Sequence, residues 1–190
     1  MGMLMSVNNI IMSPQEAEEL VEYANNNKML AVAIKGALSE IRHKNHLSKS
    51  GYKVSRIEES DNLGLPDFQI EDNISMEHKR ARNQTYADGS LKVEIQKSRN
   101  SGKCKSNRLY DEGFCDIVSV DISEHTGKIN DYRYIKTTDL EKDSQFPNKI
   151  KALQRENRHW KSNLCEVLKA TNNKKTIDIE RQDGYAYVSQ

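Results

Sequence analysis

The sequence predicts one α/β or α+β domain. Three observations carry that expectation. Two helical stretches open the chain, short segments with period-two alternation follow from Tyr52 to Ile135, and helical stretches return after Thr138. At 190 residues the chain is long enough for a single domain with a real core. The whole of 1–190 reads as that domain, with a core over about 28–138 and a C-terminal helical and edge extension over about 139–190.

Ser13-Pro14-Gln15-Glu16 is a helix start, with serine as N-cap, proline at the first helical position and glutamate at the third. The helix is expected from Pro14 to about Tyr23, with Ala17, Leu20 and Val21 on one face, until Asn25-Asn26-Asn27 breaks it. A second helix is expected from about Lys28 to Leu47. Its apolar positions Leu30, Ala33, Ile34, Ala37, Leu38 and Ile41 recur at three and four residues, the period of a buried stripe. His43 and His46 fall on its polar face and are expected at the surface.

Ser50-Gly51 ends that helix, and Tyr52 to Ile57 alternates as a strand does. Asn62 to Pro66 is a turn, Asp67 to Ile70 a short strand, and Glu71-Asp72-Asn73 a second turn. Ile74 to Lys79 alternates again, with room to continue to about Tyr86. Asp88-Gly89 signals a hairpin, because this pair accommodates the positive φ of tight turns. Leu91, Val93 and Ile95 form one face of the returning strand. Asn100 to Gly113 is polar and reads as a loop. Phe114 to Ile122 is the best candidate for a central strand, turned at Thr126-Gly127, with Tyr132 to Ile135 returning beside it. The longest late helix is expected over Pro147 to Lys169, carrying Ile150, Leu153, Leu164, Val167 and a core Trp160. Thr176 to Val188 adds an edge hairpin around Asp183-Gly184.

Composition narrows the function classes. A hydrophobic fraction of 36% against 30% charged residues means much polar surface, as a wide polar groove would require. No apolar run reaches the length that crosses a bilayer, and Met1 to Asn9 lacks the basic start and cleavage site of a secretion signal. Cys104, Cys115 and Cys165 are few and odd in number, without a CxxC, which points to a reducing cytoplasm. Cys104, Cys115 and His125 lack the paired spacing of a zinc site. The net charge of +1 is uninformative, but its distribution is not. Nine lysines and arginines fall between His78 and Arg108, opposed only by Asp88 and Glu94. Such a strip suits phosphate binding, or equally a solvated charged face.

Asp67 and Glu77 lie four residues before and four after the Glu71-Asp72-Asn73 turn, so an antiparallel hairpin sets them about opposite each other. The period of two puts Glu77 and Lys79 on one face, and Ile74, Met76 and His78 on the other. Two converging carboxylates repel unless a cation joins them, and a hard divalent ion such as Mg2+ suits them. The plainer alternative is that Asp67 caps a turn while Glu77 and Lys79 form an exposed charge pair.

Pro66-Asp67, nine residues, then Glu77-His78-Lys79 resembles the PD-(D/E)XK motif of restriction-type nucleases. The resemblance extends over about Leu30 to Ile135, as helix, strand, metal-binding hairpin and hydrophobic strand. It implies a restriction-endonuclease-like core, a mixed central sheet flanked by helices. It also implies a Mg2+-dependent DNA endonuclease, with Mn2+ able to substitute, that acts on double-stranded DNA as a homodimer. Asp67 and Glu77 would hold the metal, Lys79 would join them in catalysis, and Glu40 is the position for an auxiliary acid from the helix. Arg80, Arg82, Lys97, Arg99, Lys103 and Lys105 would contact DNA. Some relatives carry Gln-x-Lys followed by a tyrosine and an aspartate-bearing strand. Glu94, Gln96, Tyr110 and Asp116 resemble that variant, so the second half of the metal site stays open between Glu77-Lys79 and Glu94-Gln96. With the turn at Asp88-Gly89, Glu94 pairs near Asn83 or Gln84, on the order of 20 Å from Asp67, which favours Glu77. A type II restriction enzyme is the leading expectation. A homing endonuclease, junction resolvase, repair nuclease or non-catalytic DNA-binding module is the alternative.

Overall fold

Ser13 starts the first helix with a capping box: its Oγ accepts the Glu16 N–H at 3.3 Å, and the Glu16 carboxylate accepts the Ser13 N–H at 2.6 Å. The computed structural model describes residues 5–7, 10–57, 65–97 and 105–169. The chain divides into two compact units, Met1–Arg42 and His43–Gln190.

In the first unit, strands β1 (Met5–Val7) and β2 (Ile10–Met12) form an antiparallel ribbon, followed by helix α1 (Pro14–Asn26). Asn27 separates α1 from helix α2 (Lys28–Lys49), and its side chain accepts the Leu30 N–H at 3.1 Å. The two helices thus run further than the polar Asn25-Asn26-Asn27 run suggests. α2 continues into the second unit, and its exposure reverses the sequence expectation. Leu38 is 41% and Ile41 51% exposed, whereas Ser39, His43 and Leu47 are buried. Those three residues recur every fourth position and lie on the side of the helix opposite Leu30, Ile34, Leu38 and Ile41. His43, expected at the surface, is therefore fully buried.

The second unit holds a five-stranded sheet in the order β3-β4-β5-β7-β8. Its strands are β3 (Val54–Arg56), β4 (Phe68–Ile70), β5 (Ile74–Arg80), β7 (Ile117–Asp121) and β8 (Tyr132–Lys136). All neighbours are antiparallel except β5 and β7, which are parallel, so the sheet is mixed. The α/β expectation holds. β5 is the middle strand; β7, expected there, lies beside it in the interior of the sheet, and all five of its residues are buried. Phe68, Ile70, Met76, Ile117 and Tyr134 cover one face with Leu47, Leu164 and Val167. Val118, Val120 and Ile135 face the other way, toward Val93, Ile95, Tyr110, Ile150 and Trp160.

The returning hairpin differs from its expected course. Tyr86 and Ser90 close the Asp88-Gly89 turn, and Thr85 bridges Leu91. The strand β6 (Lys92–Glu94) then leaves β5 and pairs with β9 (Leu153–Arg155) as a separate two-stranded sheet. A helix over Pro147 to Lys169 is likewise not found. β9 and turns occupy most of that range, and only residues 164–169 are helical. Asn157 accepts the His159 N–H within a turn, and Asn163 accepts the Cys165 N–H as the cap of that short helix, both at 2.9 Å. Trp160 is buried in the core as expected, but from a turn. The Thr176 to Val188 hairpin lies outside the described residues. No helix among the described residues is long and apolar enough to cross a membrane.

Candidate active site

The β4–β5 hairpin is held by its turn. Glu71 (φ 49°) and Asp72 (φ 63°) take left-handed backbone positions, which suits aspartate better than most residues. Lys53, just before β3, ties both: its N–H bonds to the Glu71 carboxylate at 3.1 Å and its Nζ reaches Asp72 at 2.6 Å. With this turn fixed, Phe68 pairs with Met76. The same register carried one residue further sets Asp67 opposite Glu77. The Asp67 Oδ2 accepts the backbone N–H of His78 at 2.7 Å, which holds the carboxylate against the Glu77–His78 peptide.

Alternation along β5 then separates two environments. Met76 and His78 enter the core on one side. Glu77 and Lys79 lie on the other, beside Val118 and Val120 of β7. Glu77 is only 3% exposed, so it is no solvent-facing member of a surface pair. Lys79 Nζ donates to Glu77 Oε1 and, at 3.0 Å, to the Tyr110 hydroxyl, while the Tyr110 O–H donates to the same Glu77 oxygen. The two bonds that Glu77 accepts, from Lys79 and from Tyr110, both fall on Oε1. Burial works against the charge of Lys79, but the Glu77 carboxylate and Tyr110 outweigh it and hold the ammonium above its ordinary 10.5. Burial, with the Glu77 charge behind it, raises Tyr110 above its ordinary 10.0, so its hydroxyl stays a donor.

Tyr110 reaches this site from a distant stretch of chain. The 3-10 turn Lys105–Arg108 precedes it, and its carbonyl accepts the Ile150 N–H at 2.9 Å. Its ring stacks on Phe114 at 3.9 Å, with Lys79 Nζ 5.3 Å and Lys97 Nζ 5.8 Å from the centroid. Sequence reasoning weighed Tyr110 only beside Glu94 and Gln96. Its one local signal is an aromatic residue in a polar stretch just before β7.

Glu94 and Gln96 lie elsewhere. Glu94 sits on β6, outside the sheet that carries Asp67, and is bonded by Gln96 and approached by Arg82 at 3.6 Å. The hairpin thus brings Glu94 near Arg82, one residue from the expected Asn83. Glu40 stands half-buried on α2 in the first unit. Arg80 pairs with Glu124 at 3.0 Å, so acids outside the basic strip meet part of its charge. Lys97 turns onto the Tyr110 ring. Arg99 and Lys103 lie outside the described residues, and Lys105 enters the description only through its backbone.

Among the described residues no group of three or more His, Cys, Asp or Glu side chains gathers. Asp67 and Glu77 would therefore give a cation two carboxylates, the number a Mg2+ ion takes when water and substrate oxygens complete its shell. That donor set is hard and anionic, and it fits such an ion. Among the described residues a soft metal finds nothing comparable: Cys115 is buried, its thiol pushed up to about 12 by burial, and it donates to the Ile117 carbonyl at 3.2 Å.

No family model matches the chain, and no curated protein matches it. Among solved structures it is similar to a bacterial homing endonuclease, at 14% identity and a TM-score of 0.41, over 83% of this chain and 98% of that one.

Proposed function

We propose that this chain is a Mg2+-dependent DNA endonuclease, and among such enzymes a homodimeric type II restriction endonuclease. One observation carries the reading: β4 and β5 pair Phe68 with Met76, a register that, continued by one residue, would bring Asp67 opposite Glu77, and Lys79 bonds to Glu77. Asp67 and Glu77 would hold the ion. Mg2+ bound there supplies Lewis-acid polarisation of a phosphate oxygen and a more acidic water.

The chain's own groups do the rest. Lys79 stays protonated beside Glu77, so its part is to donate hydrogen bonds and offset charge developing on the phosphate, in preference to taking a proton. Tyr110 holds Glu77 and Lys79 together through its hydroxyl. The His78 N–H fixes the Asp67 carboxylate. Phosphate contacts come from Arg82 and Lys97 and from the strip that continues through Arg99, Lys103 and Lys105, while Glu40 is the auxiliary acid. A site that cuts one strand needs a second copy to cut the other, which is the reason for the homodimer.

The test is incubation of plasmid, phage and branched DNA with the protein, in Mg2+ or EDTA, beside Asp67→Ala. Discrete fragments that require Mg2+ and vanish in the variant support the reading. DNA binding equal in both proteins, with no cleavage of any substrate, would leave a binding module instead.

A further inference from the structure

We infer that the β6–β9 ribbon reads base sequence, lying in the major groove of duplex DNA with Lys92 and Arg155 as its base contacts. This rests on the nuclease reading and adds to it the element that would choose the site. Alternation gives the ribbon two faces. Val93 and Gln154, which pair with each other, are buried, and so are Leu91 and Ile95 on the same side. Lys92 with Arg155, and Glu94 with Leu153, pair on the outward side. Lys92 and Arg155 are thus like charges directly across two strands, an arrangement that destabilises a sheet unless something offsets it. One ring holds both. Tyr86 of the Asp88-Gly89 hairpin has the Arg155 guanidinium 4.0 Å and the Lys92 Nζ 5.0 Å from its centroid. Asp88 bonds to Arg155, while Glu94 is engaged by Gln96 and Arg82.

Two cations fixed side by side on a face the core does not need call for a partner rich in acceptors. The major-groove edge of guanine presents O6 and N7, and arginine or lysine is the side chain that meets them. Shape agrees. Paired strands lie about 5 Å apart, and a two-stranded ribbon fits the roughly 12 Å width of the B-DNA major groove. The deep, narrow major groove of duplex RNA does not admit it. Leu153, 47% exposed and paired with Glu94, supplies an apolar contact of the kind a thymine methyl takes. The ribbon also leads to the candidate site. Lys92 is five residues from Lys97, whose Nζ lies 5.8 Å from the Tyr110 ring centroid. Five residues reach at most about 18 Å, so the bases read lie within about five base-pair steps of the phosphate that Lys97 would contact.

The test is selection of randomised duplex DNA for binding to the full-length protein in EDTA, followed by sequencing, so that no cleavage is needed. The wild type should enrich a motif containing a G·C pair that the ribbon reads. Arg155→Gln should lose about 10- to 100-fold of the preference at such a pair, with A·T gaining there, because glutamine meets adenine. Lys92→Gln should relax the same pair or its neighbour. Both positions face outward, so both variants should keep the wild-type circular dichroism. Tyr86→Leu keeps the two cations and removes their platform, and should blur the same positions with the salt dependence of binding unchanged. Equal weakening on every sequence, with a salt slope lowered by about one per variant, would make these residues phosphate contacts and overturn the inference. So would a motif unchanged in both glutamine variants, or a wild type that enriches none. A motif that depends on Arg155, with no cleavage in Mg2+, would overturn the nuclease reading and leave the ribbon standing.

Discussion

The two sides of β5 bury polar groups by opposite means. On one side, Glu77 and Lys79 lean on each other and on Tyr110. On the other, His78 stacks on His43 at 4.4 Å and bonds to the Ser119 hydroxyl at 2.9 Å. His43 reaches the Tyr134 hydroxyl at 3.2 Å, and both rings stay neutral. Burial, then the nearby Lys79 charge, brings His78 from its ordinary 6.5 to about 3. Burial, followed by the neighbouring His78 and His46, lowers His43 in the same direction. The charged side gathers a carboxylate, an ammonium and a phenol; the neutral side serves the core. One strand therefore separates an ion pair from a neutral ring stack by the alternation of its side chains.

The largest effect expected from breaking this contrast comes from the charged side. Lys79→Met leaves the Glu77 carboxylate buried without its cation, and should lower stability by about 3–5 kcal/mol in metal-free urea unfolding. Added Mg2+ should recover part of that loss, and a variant as stable as wild type would mean that Lys79 does not support Glu77.

The neutral side responds to acid. Above pH 6.5 both histidines are uncharged whether folded or unfolded, and they add no pH dependence. As pH falls below 6.5 the unfolded chain takes up protons that the folded His78 refuses until about pH 3. Stability should therefore fall by about 1.4 kcal/mol per pH unit from His78 across that window, or about 2 kcal/mol at pH 5, with His43 adding in the same sense. His43→Phe, which keeps a ring in the stack, should flatten the slope; an unchanged slope would show that His43 is not buried as a neutral ring.

A smaller effect sharpens the boundary between the two sides. Tyr110→Phe removes the hydroxyl shared by Glu77 and Lys79 but keeps the Phe114 stack, and should cost about 1.5 kcal/mol, as loss of a bond to a charged group does. Its cost should shrink in the Lys79→Met background if the three groups act as one network, and a double-mutant cycle measures that coupling.

The hairpin that makes this contrast was readable in the sequence because its determinants are local. Glu71-Asp72-Asn73 sets the turn, the turn sets the register, and the register sets Asp67 against Glu77. The buried interior strand β7 was readable from its apolar run, though β5 takes the middle of the sheet. What escaped depends on partners distant in sequence. His43 looked like a surface residue because the apolar stripe of α2 lies on the side opposite the one that packs. β6 leaves its hairpin for β9, some sixty residues away, and no local pattern in Lys92 to Glu94 names that partner. Asn157 bonds into a turn and Asn163 caps a helix that starts only at residue 164, where the apolar positions alone suggest one from Pro147.

The most direct test of the central claim sets Glu77→Gln against Glu94→Gln in Mg2+-dependent cleavage of the same DNA. The register places Glu77, and not Glu94, opposite Asp67. Glu77→Gln should therefore lose activity by about 10³-fold or more, as removal of a group that stabilises the transition state electrostatically does, while Glu94→Gln stays within a few-fold of wild type. Loss of cleavage with Glu94→Gln, and its retention with Glu77→Gln, would contradict the account and move the metal site to β6.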